Sequence, residues 1–286
     1  MGDERAPFLV LAHHRSGSNL LNDLLQAHPF VECLNEPFSM HTPFFREADL
    51  QRWTAADHEP GRLHKDLPEG SGLQAFLHGL REYLQCSRAG RVIGFKETVL
   101  FGKLGWMQAF VPGLKVIFLQ RDPRAIVSSV LRSGLIDFWD YRQLVPPAFR
   151  RCFGPLVLPP WPAGSPQERA ALVAMSVAVR YELASRELPQ MDHVALRLDD
   201  LVLHADQTLT RLWRFLAVPP HPGPLQFLRG RQNASRGDAF SSFREPALAL
   251  EGWRRHLTGG ELAAIEAVWQ AVPLPALDEP SEIKQG

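Results

Sequence analysis

Arg15, Ser16, Gly17, Ser18 and Asn19 form a short run of donors around one glycine, and Arg121 stands eight residues before Ser129. Both groups suit an anion. Arginine offers phosphate or sulfonate oxygens a planar fork of N–H donors, and a serine adds a hydroxyl. Gly17 lets the backbone turn tightly and approach a ligand. A helix capped by Ser18 or Asn19 would leave its first amides without partners inside the helix, which makes an anion site. On a helix starting at Pro123, Ser129 returns to the side of Asp122 and its Cβ tilts back toward the helix start, whereas Ser128 points elsewhere. Arg121 and Ser129 can then meet on one phosphate. Two such sites in one chain suit a nucleotide phosphorylated at two places.

Strands and helices must position these side chains. Phe8 to Ala12 is an unbroken apolar run of strand length, as expected of a central parallel strand buried on both faces. After the glycine turn, Leu20, Leu21, Leu24 and Leu25 fall on one helical face, and the helix is expected to stop at His28-Pro29. Lys115 to Gln120 repeats the pattern, with Asp122 as N-cap and Pro123 where a first helical residue tolerates a missing amide. Val31 to Leu34 reads as a short strand. Glu36, next to Pro37, is expected to be extended, with its carboxylate projecting near the first loop. Lys96 follows the apolar run Val92 to Phe95 and emerges at a further strand end, where open parallel sheets place their ligands. Each element also has a plainer reading. Arg15 can be a solvated arginine on an ordinary strand–turn–helix, Arg121 can pair with a surface acid, Lys96 can pair with Glu97, and Glu36 can be a loop glutamate.

The stretch RSGSNLLNDLLQAHPFVECLNEPF resembles the phosphosulfate-binding loop of sulfotransferases, most closely the tyrosylprotein and carbohydrate branches, and VIFLQRDPRAIVSS resembles their 3'-phosphate motif. ALRLDDLVLHADQTLTRLWRFLAVP and GWRRHLTGGELAAIEAVW look like the family's late strand and its closing helices, so the resemblance runs from Phe8 to about Trp269. It implies a P-loop-like α/β fold, a mostly parallel central sheet flanked by helices. It also implies 3'-phosphoadenosine 5'-phosphosulfate (PAPS) as sulfonate donor, with no metal. Arg15, Ser16, Gly17, Ser18 and Asn19 would hold the 5'-phosphosulfate, and Arg121 and Ser129 the 3'-phosphate. The tyrosylprotein branch places a glutamate base 21 residues beyond the loop arginine, which is the spacing from Arg15 to Glu36 here. Glu36, Arg15 and Lys96 are therefore the catalytic candidates. Other sulfotransferases use a histidine, and His13, His14 and His28 lie nearby. In the family a segment before the closing tryptophan helix also folds over the 3'-phosphate, which nominates Ser241 or Ser242 and Arg254 within or after the basic stretch Arg229 to Arg244. That stretch reads equally as a disordered surface loop.

A chain of 286 residues is long enough for a full core and short for two, so one domain over 1–286 is the economical reading. With 31 basic and 31 acidic residues the net charge is zero, which gives no general attraction to nucleic acid or membranes and makes any anion site local. Cys33, Cys86 and Cys152 have neither paired nor metal-like spacing, as expected of reduced thiols in a cytosol. No apolar run reaches the length of a membrane span, and the first strand begins too early to leave room for a signal peptide, so a cytoplasmic enzyme is expected. Arginine outnumbers lysine, and with frequent Ala and Pro this favours a bacterial source.

Residues 41–72 and 138–166 are rich in proline and aromatics and read as long insertions. Loops of that length serve for acceptor recognition or are pinned to the body by their aromatics. Ala170 to Glu187 suits a helix, His193 to Leu198 a strand, and Leu209, Leu212, Trp213 and Leu216 the buried stripe of another helix. The expected acceptor is a hydroxyl, ahead of an amine, on a small molecule, glycan or lipid. Two rivals remain at this stage. A P-loop kinase or NTPase would need a GxxxxGK[ST] loop, which is absent. A non-catalytic nucleotide-binding protein would keep both arginines without needing Glu36.

Overall fold

The computed structural model describes residues 6–38, 73–86, 90–138, 141–232 and 250–272. The candidate insertion 41–72 lies outside them, as do Ser241 and Ser242. The chain forms two compact units, Met1–Gln120 with Glu187–Pro246, and Arg121–Arg186 with Ala247–Gly286.

The first unit is built on a sheet of five parallel strands: β1 (Phe8–Ala12), β2 (Val31–Asn35), β3 (Val92–Glu97), β4 (Lys115–Gln120) and β5 (His193–Arg197), in the order β2-β3-β1-β4-β5. The α/β class and the parallel sheet agree with the expectation from sequence. β1 and β3 are buried along their whole lengths because neighbours cover both faces, whereas the edge strands β2 and β5 alternate. A side chain at Gly94 would lie 2.4 Å from Phe8 O, so only glycine lets β3 approach β1 there.

Helix α1 (Ser18–Gln26) follows β1, α2 (Leu73–Gln85) precedes β3, and α3 (Leu104–Phe110) joins β3 to β4. Leu21, Leu24 and Leu25 of α1 pack with Phe8, Val10, Ile117 and Leu196 of the sheet. After β5 come α8 (Leu198–Leu203), α9 (Ala205–Phe215) and α10 (Gly223–Gln232), which add Leu209, Leu212, Trp213 and Leu228 to the same core. The start of the basic stretch at Arg229 is thus the last turn of a helix and not a loop. Successive parallel strands put all their carboxyl ends at one sheet edge. Because β2 and β3 lie to one side of β1 and β4 and β5 to the other, the chain reverses its path between β1 and β4. Open α/β sheets bind ligands at such a reversal.

The second unit contains α4 (Pro123–Arg132), α5 (Leu135–Phe138), α6 (Tyr141–Phe153), most of α7 (Pro166–Glu187), a 3₁₀ turn at Gly252–Arg255 and α11 (Gly259–Ala271). Asp122 caps α4 as expected, accepting from Arg124 N at 2.8 Å, with Pro123 in the first turn. Thr258 and Glu261 form a capping box on α11. Within 138–166, expected from sequence to be a long loop, Tyr141–Phe153 instead forms α6, which continues through Pro146 and Pro147. Tyr141, Val145, Ala148, Phe149 and Cys152 recur at helical spacing and are all buried, and this stripe outweighs the backbone bonds that the two prolines remove. Phe149 and Phe153, one turn apart on this helix, touch at 5.0 Å between centroids.

Candidate active site

The turn after β1 is shaped by two residues with left-handed backbone, Arg15 (φ 69°) and Gly17 (φ 91°). Ser16 N turns back to His13 O at 3.1 Å, and Ser16 Oγ donates to the same oxygen at 2.5 Å. Ser16 is completely buried, so it closes the turn and does not present its amide outward, a correction to the sequence reading. Neither Ser18 nor Asn19 caps α1 either. Gly17 occupies the cap position, and no side chain caps the helix. The first turn of a nine-residue helix therefore begins behind a bare glycine, with the positive end of its dipole at the turn. A Cβ on Gly17 would lie 2.6 Å from Leu198 Cδ1, the residue just after β5. We expect Gly17→Ala to lower stability by about 1–3 kcal/mol, since alanine resists the positive φ and meets Leu198. Chemical denaturation at the parent's midpoint would show no change if the turn relaxes freely.

Glu36, Asn19 and Lys96 come together. Lys96 is fully buried, and its Nζ donates to Glu36 Oε1 at 2.5 Å and to Asn19 Oδ1 at 2.9 Å. A buried ammonium is costly without partners, and here it has a carboxylate and an amide. The Glu36 side chain keeps 25% of its surface, so the carboxylate reaches solvent where the ammonium does not. The plain alternative of a Lys96–Glu97 pair is not observed. Side chains alternate along β3, and the Glu97 carboxylate lies on the other side, accepting from Phe38 N at 2.6 Å and Thr98 N at 3.2 Å. Burial, and next the nearby Glu36 charge, push the Glu97 carboxyl up to about 8.

The expected extended backbone at Glu36 is also corrected: its φ is 49°. A following proline disfavours the right-handed helical region, and Glu36 N is drawn to Lys96 O at 2.8 Å just past the register pair Asn35–Lys96, which favours the left-handed turn. Non-glycine residues rarely adopt positive φ, and the described residues contain three, of which Arg15 and Glu36 are two.

Of the neighbouring histidines, His28 has a structural task. It is buried, its Nδ1 accepts from Phe30 N at 3.2 Å, and its Nε2 faces Pro219 O at 2.9 Å, so the proton sits on Nε2. The ring packs on Trp213 at 4.6 Å. His13 is buried with Nδ1 facing His14 O at 2.6 Å.

In the second unit, Arg121 is fixed through its backbone: Tyr181 Oη accepts from Arg121 N at 3.2 Å and donates to Arg121 O at 3.1 Å. Tyr181, central in α7, carried no local motif. On α4, Ser128 is buried and Ser129 half-buried, in keeping with their expected faces. Asp122 holds Arg124 through bonds of 3.0 Å to Nε and 2.7 Å to Nη2, and the Arg124 guanidinium stacks on Trp253 at 4.3 Å. Arg254 covers the same ring at 4.5 Å.

The sequence of the sulfotransferase family matches residues 7–152, which include the glycine turn, Glu36, Lys96, Arg121 and Ser129. The protein-tyrosine sulfotransferase 1 of Danio rerio is 27% identical over 210 residues, 72% of this chain and 51% of that protein, so the chain spans about half the length of this curated relative. Among solved structures, the sulfotransferase domain of the Synechococcus PCC 7002 olefin synthase aligns over 96% of this chain and 98% of its own, with a TM-score of 0.51 and 16% identity. The sulfotransferase STF9 of Mycobacterium avium aligns over 94% of this chain and 76% of its own (TM-score 0.52, 12% identity). Mouse sulfotransferase SULT7A1, solved in complex with PAP, aligns over 93% and 83% (TM-score 0.52, 10% identity). The structural likenesses agree on the fold, the family match covers half of the sequence and spans the turn and the lysine–glutamate pair just described, and this chain belongs to the sulfotransferase family.

Proposed function

We propose that this chain transfers the sulfonate group of PAPS to an acceptor hydroxyl, with Glu36 as general base. The observation that carries the reading is the Glu36–Lys96–Asn19 cluster, which joins a solvent-reaching carboxylate to the uncapped start of α1. The residues fit the donor's charge. Gly17 supplies the left-handed turn that opens α1, the α1 amides and Arg15 suit the 5'-phosphosulfate, and Asn19 orients Lys96. PAPS supplies an activated sulfonate and a bisphosphate leaving group. Glu36 takes the acceptor's proton as its oxygen attacks sulfur, while Arg15 and Lys96 offset the charge that develops on the departing phosphate oxygen. Arg121 and Ser129 hold the 3'-phosphate. We place the enzyme in the cytosol: its three cysteines are free, and among the described residues no helix is long and apolar enough to cross a membrane.

Thermal stabilisation by adenosine 3',5'-bisphosphate (PAP), but not by ATP or AMP, tests the nucleotide. Transfer of label from PAPS to a panel of phenols, alcohols and glycans then tests the reaction. A protein stabilised by PAP that transfers nothing in that panel or in cell extracts would be a nucleotide binder. Arg121→Ala should weaken PAP binding by about 1.5–3 kcal/mol, the scale of a lost bond to a charged group. Ser129→Ala should cost less. Calorimetry with a nucleotide lacking the 3'-phosphate should show a far smaller loss for both variants, and equal losses would assign Arg121 to another task.

A further inference from the structure

We propose that Glu97 is a positioning residue that sets the catalytic geometry of Glu36 by holding the backbone two residues beyond it. The proposal rests on Glu36 as the base and adds a residue to the same reaction.

Residues 36–38 form a three-residue turn with only two N–H donors, since Pro37 has none. Both donors end on adjacent residues of β3: Glu36 N on Lys96 O at 2.8 Å, and Phe38 N on Glu97 Oε1 at 2.6 Å. Lys96 Nζ takes the Glu36 side chain from the opposite face of the strand. The turn is thus gripped at its first backbone amide, its first side chain and its last amide by two consecutive residues. A left-handed φ at a glutamate costs about 1–3 kcal/mol and persists only where its surroundings over-determine it. Phe38 completes the anchor, buried against Phe95 at 5.9 Å and Phe76 at 5.5 Å between ring centroids.

Glu97 projects from the face of β3 opposite Lys96, and both of its oxygens are taken by backbone amides, Oε1 by Phe38 N and Oε2 by Thr98 N, so it acts through the turn. Burial, and next the Glu36 charge, push its carboxyl up to about 8, and what Phe38 N requires of it is the Oε1 acceptor. Glutamine keeps that acceptor. Leucine keeps the approximate volume and loses it.

The test compares Glu97→Gln and Glu97→Leu by kcat, by KM for PAPS, by Kd for PAP and by amide exchange at Phe38. Glu97→Leu should lower kcat about 10–100-fold, the scale of a catalytic group displaced by a fraction of an ångström to one ångström, with KM and Kd within about twofold. Exchange at Phe38 should accelerate at least about tenfold as its acceptor is lost. Glu97→Gln should retain at least about a third of parental kcat, with Phe38 still protected. In a Glu36→Gln background, Glu97→Leu should cost almost nothing further, because a residue that acts through Glu36 has nothing left to position. If Glu97→Leu does not fold, Glu97→Asp replaces it; its stem is one methylene too short to reach Phe38 N, and the same losses are expected. Parental kcat in Glu97→Leu or Glu97→Asp would overturn the proposal, as would a Gln variant as impaired as the Leu variant. A parent protein that protects Phe38 yet transfers no sulfonate would instead overturn the sulfotransfer reading, leaving Glu97 a structural clamp only.

Discussion

Replacing Glu36 by glutamine is expected to reduce turnover by about 10²–10⁴-fold at saturating PAPS and acceptor, the contribution of a positioned general base. Glutamine matches the glutamate in size, and its amide oxygen can still accept from Lys96 Nζ, so the turn at residues 36–38 has no reason to rearrange. What it lacks is an oxygen able to carry away the acceptor's proton. PAP affinity should stay within about twofold, because the interaction removed is one made in the transition state. Steady-state kinetics with the acceptor found by screening, together with PAP calorimetry, separate the two quantities. Activity within a few-fold of the parent would take Glu36 out of the base role. Attention would then pass to His13 or His14, since both ring nitrogens of His28 are already engaged with Phe30 and Pro219.

The strands were legible because their burial on both faces writes itself as unbroken apolar runs: Phe8 to Ala12 and Lys115 to Gln120 have the bounds read from sequence. Asp122-Pro123 was legible for a different reason, since a cap and a proline act over one turn. Where local rules gave wrong answers, either an unforeseen turn or helix nearby or a residue far along the chain had taken control. Ser16 reads as a loop donor, yet the left-handed Arg15 turns it back on His13. Glu36 before Pro37 reads as extended, yet its amide and side chain are both claimed by Lys96, sixty residues away. Residues 138–166 read as a proline-rich loop, but the buried stripe from Tyr141 to Cys152 holds Pro146 and Pro147 within a helix. Glu97 was invisible as a functional residue. Only the pairing of β2 with β3 brings Phe38 within its reach, and register between strands so distant in sequence leaves no local signal.

Lys96→Met carries the second large effect, an expected fall in turnover of about 10²–10³-fold, the scale for removing a preorganised donor from a transition state. Methionine is unbranched and of similar length, so it can fill the buried channel that the lysine stem occupies. Its loss leaves Glu36 Oε1 and Asn19 Oδ1 facing an apolar group. Because the Glu36 side chain is 25% exposed, water can replace part of what is lost, and the destabilisation should stay near 1–3 kcal/mol, about the cost of unsatisfied polar groups and below that of breaking a fully buried ion pair. Two tasks remain to be told apart: orienting Glu36, and meeting charge on the group in transfer. The double variant with Glu36→Gln separates them. If Lys96 served only Glu36, its removal would cost nothing once the base is gone; if it also touches the transferring group, turnover should drop by a further tenfold or more, and this is the result we expect. A double variant as active as Glu36→Gln alone would reduce Lys96 to an orienting role and leave Arg15 with the α1 amides to balance the leaving group's charge.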